Sequence, residues 1–397
     1  MNEFDFIRRL REQTRSRKHS ARVVTGIGDD ASLIAETANR NLVVTTDLLV
    51  EDVDFHRDAA PPRLLGHKAL AVSLSDIAAM GARPFWSFVS IGLPVEVWRS
   101  DFKDEFFAGY LALSDQYGVT LAGGDVSETK AGIVVDSIVL GEIGNETAVL
   151  RSGARSGDRI YVTGSLGGAA GGLRLIEMGA RLGEGGLASL PSASKRGVST
   201  PVREGSDQET GAPAIGSERW SAVRSVPGAV ATGSLDVQDS DQETQTSEIR
   251  AIESLLLRQL RPSPRVGWGI VLGEERLATA MIDISDGLSS DLSHLCSESS
   301  VGALIQSAQI PIDSDVIRLC GRRALDPLAL ALNGGEDFEL LFTVRPEDAA
   351  RLPKRVDGVE ISHIGDVTNE SDTIRIAEGN RVWHLQPRGF QHFSSKG

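Results

Sequence analysis

The stretch GIGDDASLIAETANRNLVVTTDLLVEDVDF, residues 26–55, decides how this chain is read. A tight glycine turn presents two adjacent carboxylates, Asp29 and Asp30. An apolar, β-branched strand over residues 42–46 leads to Asp47, and Glu51, Asp52 and Asp54 follow. Crowded carboxylates repel one another and raise one another's pKa. No Lys or Arg lies between Gly28 and Arg40, nor from Asn41 to His56. A hard divalent cation, which prefers oxygen ligands, is the expected partner.

The same signature recurs along the chain. Residues 119–122 form a short apolar strand running into Gly123-Gly124-Asp125, where glycine lets the backbone approach a ligand closely. Residues 277–282 are apolar and end in Asp283-Ile284-Ser285-Asp286, and the turn Asn333-Gly334-Gly335-Glu336-Asp337 precedes another apolar strand. Acidic turns are usually solvated caps when taken singly. Five of them at the ends of apolar strands point to several Mg2+ ions shared between carboxylates and substrate phosphates. Zinc is not indicated, because the seven His and two Cys show no ligand spacing. No GxSxG motif marks a serine hydrolase.

The intervening elements read mainly by periodicity. Residues 67–82, HKALAVSLSDIAAMGA, form an Ala- and Leu-rich helix closed by Gly81. Asp76 sits inside it. A buried carboxylate there needs a partner, a solvent-facing one does not, and spacing leaves both open. A helix over 101–117 is capped by Ser100, buries Phe102, Phe106, Tyr110 and Leu113, and ends at Gly118. A strand over 159–163 enters GSLGGAAGG, residues 164–172, then a helix over 173–178. That turn either offers backbone N–H groups to phosphate or is simply a tight packing turn, and it is not a Walker A loop. Periodic apolar residues vanish over 180–247, where SDQET occurs twice, so this stretch reads as a disordered insertion. A helix over 248–260 follows, stopped by Arg261-Pro262-Ser263-Pro264.

The chain of 397 residues is long enough for two or three domains. Its net charge of −14 argues against a nucleic-acid binder with a basic face. No apolar run reaches the length of a membrane span, and the N-terminus lacks a signal core. A soluble, cytoplasmic protein is expected, with Cys296 and Cys320 as reduced thiols.

The motifs GIGDD, TTDLLVE, KALAVSLSDIAAMGARP, GGD, YVTGSLG, LRPSPR, DISDGL and GGEDFELLF resemble those of the thiamine-monophosphate kinase family. That family belongs to the superfamily of aminoimidazole ribonucleotide synthetase and selenophosphate synthetase. The resemblance spans nearly the whole chain outside residues 180–247. It implies a two-domain α/β (α+β) fold of the aminoimidazole ribonucleotide synthetase type. An N-terminal domain, residues 1–152, would bind ATP and Mg2+ and pair across a homodimer, with a C-terminal domain over 153–397. It implies ATP-dependent conversion of thiamine monophosphate to thiamine diphosphate by direct phosphoryl transfer, with no catalytic side chain beyond the metal ligands. Those ligands would be Asp30, Thr45, Thr46, Asp47, Asp76, Asp125, Asp283 and Asp286. Gly124, Asp125, Arg151 and Ser285 would face ATP, and Asp54, Glu336 and Phe390 the substrate. Two positions depart from the family: Asp54 stands where it commonly has His, and Phe390 where it often has Tyr or Trp. A sister synthetase and a non-catalytic nucleotide- or thiamine-phosphate-binding protein are the alternatives. The former lacks its usual support, an N-terminal Cys or selenocysteine.

Overall fold

The computed structural model describes residues 22–27, 29–36, 39–182, 188–189, 237–323 and 325–389, together with Arg8 and Glu12. Two expectations therefore fall outside the described residues: most of the 180–247 insertion, and Phe390.

The first layer is a six-stranded sheet. Its strands are β1 (Val23–Thr25), β2 (Ser32–Ala35), β3 (Arg40–Val50), β4 (Arg83–Leu93), β5 (Thr120–Glu128) and β6 (Val134–Gly144). The spatial order is β1-β2-β3-β6-β4-β5. β3 does not stop at Asp47. It pairs with β6 from Arg40 opposite Gly144 to Val50 opposite Val134, so Asp47 lies inside the strand. β5 likewise runs through Gly124-Asp125, because β4 pairs with it as far as Glu128. Both expected strand ends are therefore mid-strand positions: a continuous ladder on the neighbouring strand overrides the local acidic signal.

Side chains alternate across a strand. One face of this sheet carries Val43, Val89, Val135 and Val139 into the core, against α1 (Pro62–Ala79) and α2 (Phe102–Tyr117). α1 is the helix read from residues 67–82, one turn longer at its start. It is buried almost all round, because the sheet, α2 and a helix of the second layer each pack on it. α2 begins as expected, with the Ser100 hydroxyl accepting from Phe102 N at 3.2 Å, and ends on Gly118 at φ 66°.

The second layer is an eight-stranded sheet. β7 (Arg159–Thr163), β10 (Ala278–Asp283), β11 (Gly302–Gln306), β12 (Leu340–Val344), β14 (Val359–Thr368), β15 (Ile374–Glu378) and β16 (Arg381–His384) follow the order β10-β12-β7-β14-β11-β15-β16. β13 (Arg355–Val356) pairs off the edge of β14. A separate pair, β8 (Arg181–Leu182) and β9 (Ala188–Ser189), stands apart from both sheets. Flanking helices are α3 (Gly168–Glu177), α4 (Val237–Leu260), α5 (Val266–Glu274), α6 (Leu288–Ser299), α7 (Ser314–Arg323) and α8 (Pro327–Asn333). α4 begins at Val237, so the second SDQET motif lies in a helix. The central strand β12 is buried at every residue, with Leu340, Phe342 and Val344 in one apolar cluster and Leu341 in the other. That is the pattern of a sheet covered on both faces.

The two layers are clasped through residues 261–265. His67 Nε2 donates to Pro262 O at 2.8 Å, and Tyr117 OH donates to Pro264 O at 2.9 Å. Arg265 grips the fully buried Glu339 through Nε and Nη2, one edge of its guanidinium. α1 and α2 touch through glycines: a Cβ on Gly109 would lie 1.8 Å from Arg63 O, and one on Gly66 1.9 Å from Phe106 O. Gly109→Ala must push the helices apart. It is expected to destabilise the fold by about 1–3 kcal/mol, the usual cost of overpacking, read as a lowered urea midpoint. An unchanged midpoint would show that the helices can separate freely.

Candidate active site

Three separate elements deliver carboxylates to one point. Asp30 follows the glycine turn, Asp76 is on α1, and Asp283 ends β10. One oxygen from each lies within 4.8 Å of the other two. The Asp76 carboxylate accepts from Thr45 Oγ1 on β3, and Asp283 Oδ2 accepts from Ser75 Oγ at 2.6 Å. Asp47, on the same face of β3 as Thr45, joins the cluster electrostatically. Asp76 is thus not solvent-facing, and α1 contributes consecutive residues, Ser75 and Asp76, to the junction between the layers.

A cation is present, and it comes from far along the chain. Arg151 Nη2 donates to Asp30 Oδ1 at 2.7 Å, and Arg151 N sits 3.4 Å from both oxygens of Asp29. Arg151 therefore holds the Asp29-Asp30 turn. Burial opposes its charge, but Asp30 and Asp29 more than offset this and keep its pKa above the usual arginine value. One guanidinium cannot balance five carboxylates. Burial, with help from Asp30, pushes Asp29 and Asp283 up to about 7. Burial raises Asp47 to about 6, partly countered by Ser73. Asp76 is driven well above the carboxylate range by burial and then by Asp47, Asp283 and Asp30. Among the described residues, buried Asp30 Oδ2 and Asp47 Oδ2 have no hydrogen-bond donor. Such orphaned oxygens, in an all-oxygen set, fit a hard divalent ion.

The other acidic positions divide. Glu51 belongs to the scaffold: Arg57 pairs with it at 2.9 Å and Ile133 N donates to it at 2.8 Å. Asp54 Oδ2 accepts from Val50 N at 2.8 Å, closing the turn after β3. Thr46 points to the opposite face from Thr45 and Asp47, and its hydroxyl donates to Asp136 at 2.7 Å. Asp125 is not brought to the cluster within this chain. Gly124 aligns with Val89, Ser137 and Asp47 across successive strands, so Asp125 sits about three strand spacings away, roughly 14 Å along the sheet. It lies in register with Ser90, Asp136 and Leu48, on the face away from the helices.

Residues 283–286 and 333–339 are stitched into one rim. Glu336 N donates to Ser285 O at 2.7 Å, Phe338 N to Ile284 O at 2.9 Å, and Ile284 N to Glu339 O at 2.7 Å. Asp286 is anchored through its backbone N, which donates to the buried Asp291 Oδ2 at 3.2 Å. Gly389, the last described residue, packs so closely on Asp286 O and Ser290 that a Cβ would clash. The glycine-rich turn before α3, open in the sequence to phosphate, is already filled. Gly167 N and Ala169 N donate to Asp337 at 2.6 and 3.0 Å, so the anion at this helix start is the chain's own carboxylate.

Sequence reasoning missed Asp337 and Asp291 in these roles, and it missed Lys68 and Gln259. Lys68 is the one cation in the apolar run of α1 after His67, a signal that could have been read. It pairs with Glu336 Oε1 at 2.6 Å, and Gln259 Nε2 donates to Glu336 Oε2.

A two-sheet α/β chain with a buried carboxylate cluster between its layers defines a class, and comparison gives it a name. Residues 28–143 match the AIR synthase related protein, N-terminal domain, and residues 238–377 its C-terminal domain. The thiamine-monophosphate kinase of Escherichia coli strain K12 is 31% identical over 99% of this chain and 98% of its own length. That of Bacillus subtilis strain 168 is 31% identical over 99% and 100%. A solved structure of AaThiL complexed with AMPPCP and TMP superposes with TM-score 0.71 at 26% identity, covering 99% of this chain and 97% of that one. The chain belongs to the thiamine-monophosphate kinase family. No helix among its described residues is long and apolar enough to cross a membrane.

The raised carboxylate pKa values predict a pH dependence. The folded state holds protons on Asp29, Asp47 and Asp283 between about pH 4 and about pH 7 that the unfolded chain has released, so stability falls as pH rises through that window. The melting temperature in EDTA is expected to drop from about pH 5 to about pH 8, and Mg2+ to flatten the decline. A melting temperature that rises across this window in EDTA would contradict the cluster's electrostatics.

Proposed function

We propose that this chain phosphorylates thiamine monophosphate with ATP, giving thiamine diphosphate and ADP by direct in-line transfer. One observation carries the reading: Asp30, Asp76 and Asp283 converge, two of them buried and Asp76 half-buried, in a member of a thiamine-monophosphate kinase family. Both reactants are polyanions, and a phosphate monoester with a second pKa near 6 is mostly deprotonated at neutral pH. No general base is then required, and positioning with charge neutralisation is the whole task. Asp30, Thr45, Thr46, Asp47, Asp76, Asp125, Asp283 and Asp286 are the proposed Mg2+ ligands, and the bound ions would neutralise the phosphates. Arg151 holds the Asp29-Asp30 turn and turns its remaining N–H groups toward ATP, where Gly124 and Ser285 also contribute. Glu336, Asp54 and Phe390 face the thiamine moiety.

The proposed working form is a homodimer built on the N-terminal domain, residues 1–152, with the C-terminal domain, residues 153–397, closing the cleft. The outer face of the first sheet supports it. Cross-strand rows Val44-Leu140-Trp86 and Thr46-Ile138-Phe88 make this face largely apolar, with Leu48 59% and Trp86 50% exposed. A second copy covering it would bury those side chains. Asp125 lies on this same outer face, so in the proposed dimer it would stand at the contact between the copies, and its proposed role is in the partner's site.

Purified protein with ATP, Mg2+ and thiamine monophosphate is expected to yield thiamine diphosphate, and EDTA to abolish the yield. Nucleotide and substrate binding without product would overturn the kinase reading. Asp47→Asn should remain folded and lose at least about a hundredfold in kcat, the scale of removing an electrostatic stabiliser. Mixing refolded Asp47→Asn and Asp125→Asn chains should recover about a quarter of wild-type activity, because half the dimers then carry one intact site. No recovery would place both residues' roles within one chain.

A further inference from the structure

α1 and α4 border a cleft that holds a second set of polar groups, with Asp54 and His56 at its margin. Phe55, Leu65, Leu173 and Leu260 supply its apolar wall, and Lys68 and Gln259 lie at its polar end. Lys68 is 3% exposed and Gln259 4%. Glu336, from the rim of the active site, takes Lys68 Nζ on one oxygen and Gln259 Nε2 on the other.

These contacts fix the Gln259 amide. A carboxylate only accepts, so the amide must turn its NH2 to Glu336, and a flipped amide would set oxygen against oxygen. Its carbonyl oxygen is left as the free end. Among the described residues, Gln259 Oε1 is buried and has no donor. A buried acceptor without a donor is unfavourable, and a ligand that brings an N–H relieves it. Lys68 Nζ pairs with Glu336 Oε1 and makes no hydrogen bond to Gln259 Oε1.

We propose that Gln259 is a specificity-determining residue whose carbonyl oxygen accepts a hydrogen bond from the exocyclic amino group of a planar aminoheterocycle entering this cleft, with Lys68 positioning Glu336 and Glu336 positioning Gln259. The proposal rests on the substrate reading above, in which the aminoheterocycle is the 4-aminopyrimidine of thiamine monophosphate. Apolar walls suit the faces of the ring, and the buried acceptor reads its edge. Glu336, which takes the Gln259 amide, has its backbone N tied to Ser285 O, so Gln259 is one hydrogen bond removed from the active-site rim.

The test is calorimetric binding of thiamine monophosphate and of its 4-oxo analogue, oxythiamine monophosphate. An oxo group offers no N–H at that position, so the wild-type protein is expected to prefer the amino compound by about tenfold or more. In Gln259→Met, which keeps the volume and removes the acceptor, the preference should fall to within about twofold while ATP affinity stays unchanged. Lys68→Met should erode the preference as well, and Lys68→Arg should restore part of it. Equal wild-type affinity for the two compounds overturns the proposal without any variant. A wild-type protein that binds thiamine monophosphate, with Gln259→Met keeping the full preference, overturns the proposal and leaves the kinase reading standing. A wild-type protein that binds neither compound overturns both.

Discussion

The constraint on which the structure depends is the confinement of Asp29, Asp30, Asp47, Asp76 and Asp283 around a single guanidinium, that of Arg151. Carboxylates do not gather in a protein interior unaided, because burial and mutual repulsion both oppose their charge. The fold meets that cost with hydroxyls and long-range tethers. Thr45 and Ser75 donate to two of the carboxylates, and Arg151 crosses from the connection between the sheets to hold a third. What remains is an excess of negative charge on fixed oxygens, which is the condition for capturing hard cations and, through them, phosphates.

Two helix-scale features make this confinement possible. α1 is apolar around nearly its whole circumference, so it can sit between the sheets and present Ser75 and Asp76 where they meet. The 261–265 segment, pinned by His67, Tyr117 and Glu339, keeps the second layer in register with α1. The site is therefore a property of the junction, and either sheet alone would carry only some of its ligands.

Residue type alone does not reveal the use to which a carboxylate is put. Asp283 and Asp337 both follow apolar or glycine-rich sequence, and burial raises the pKa of both. Asp337 is spent on the start of α3, Asp291 on the backbone of the 286–287 turn, and Glu51 on Arg57 and Ile133 N. Asp54 shows the same economy. One of its oxygens closes the turn after β3. In the cluster, by contrast, buried oxygens of Asp30 and Asp47 are left without a donor.

The sequence by itself determined much of this protein. Apolar periodicity located α1, α2 and most strands within a few residues, since each buries a continuous stripe or face. The acidic junctions marked Asp30 and Asp283, because carboxylates at the ends of apolar strands need a reason, whereas spacing left Asp76 open and only the family resemblance named it a ligand. The motif order pointed to the family. Only the tertiary structure decided which acids share a centre, because that depends on contacts between residues more than a hundred positions apart: Arg151 with Asp30, Ser75 with Asp283, Lys68 with Glu336. It moved Asp47 and Asp125 from strand ends to strand middles, since pairing is set by the neighbouring strand. It filled the glycine-rich turn with Asp337, and it set Asp125 too far along the sheet to join its own chain's cluster. The 26–55 stretch announced that a cation was needed. Where that cation's other partners lie is written in the packing of α1 between two sheets.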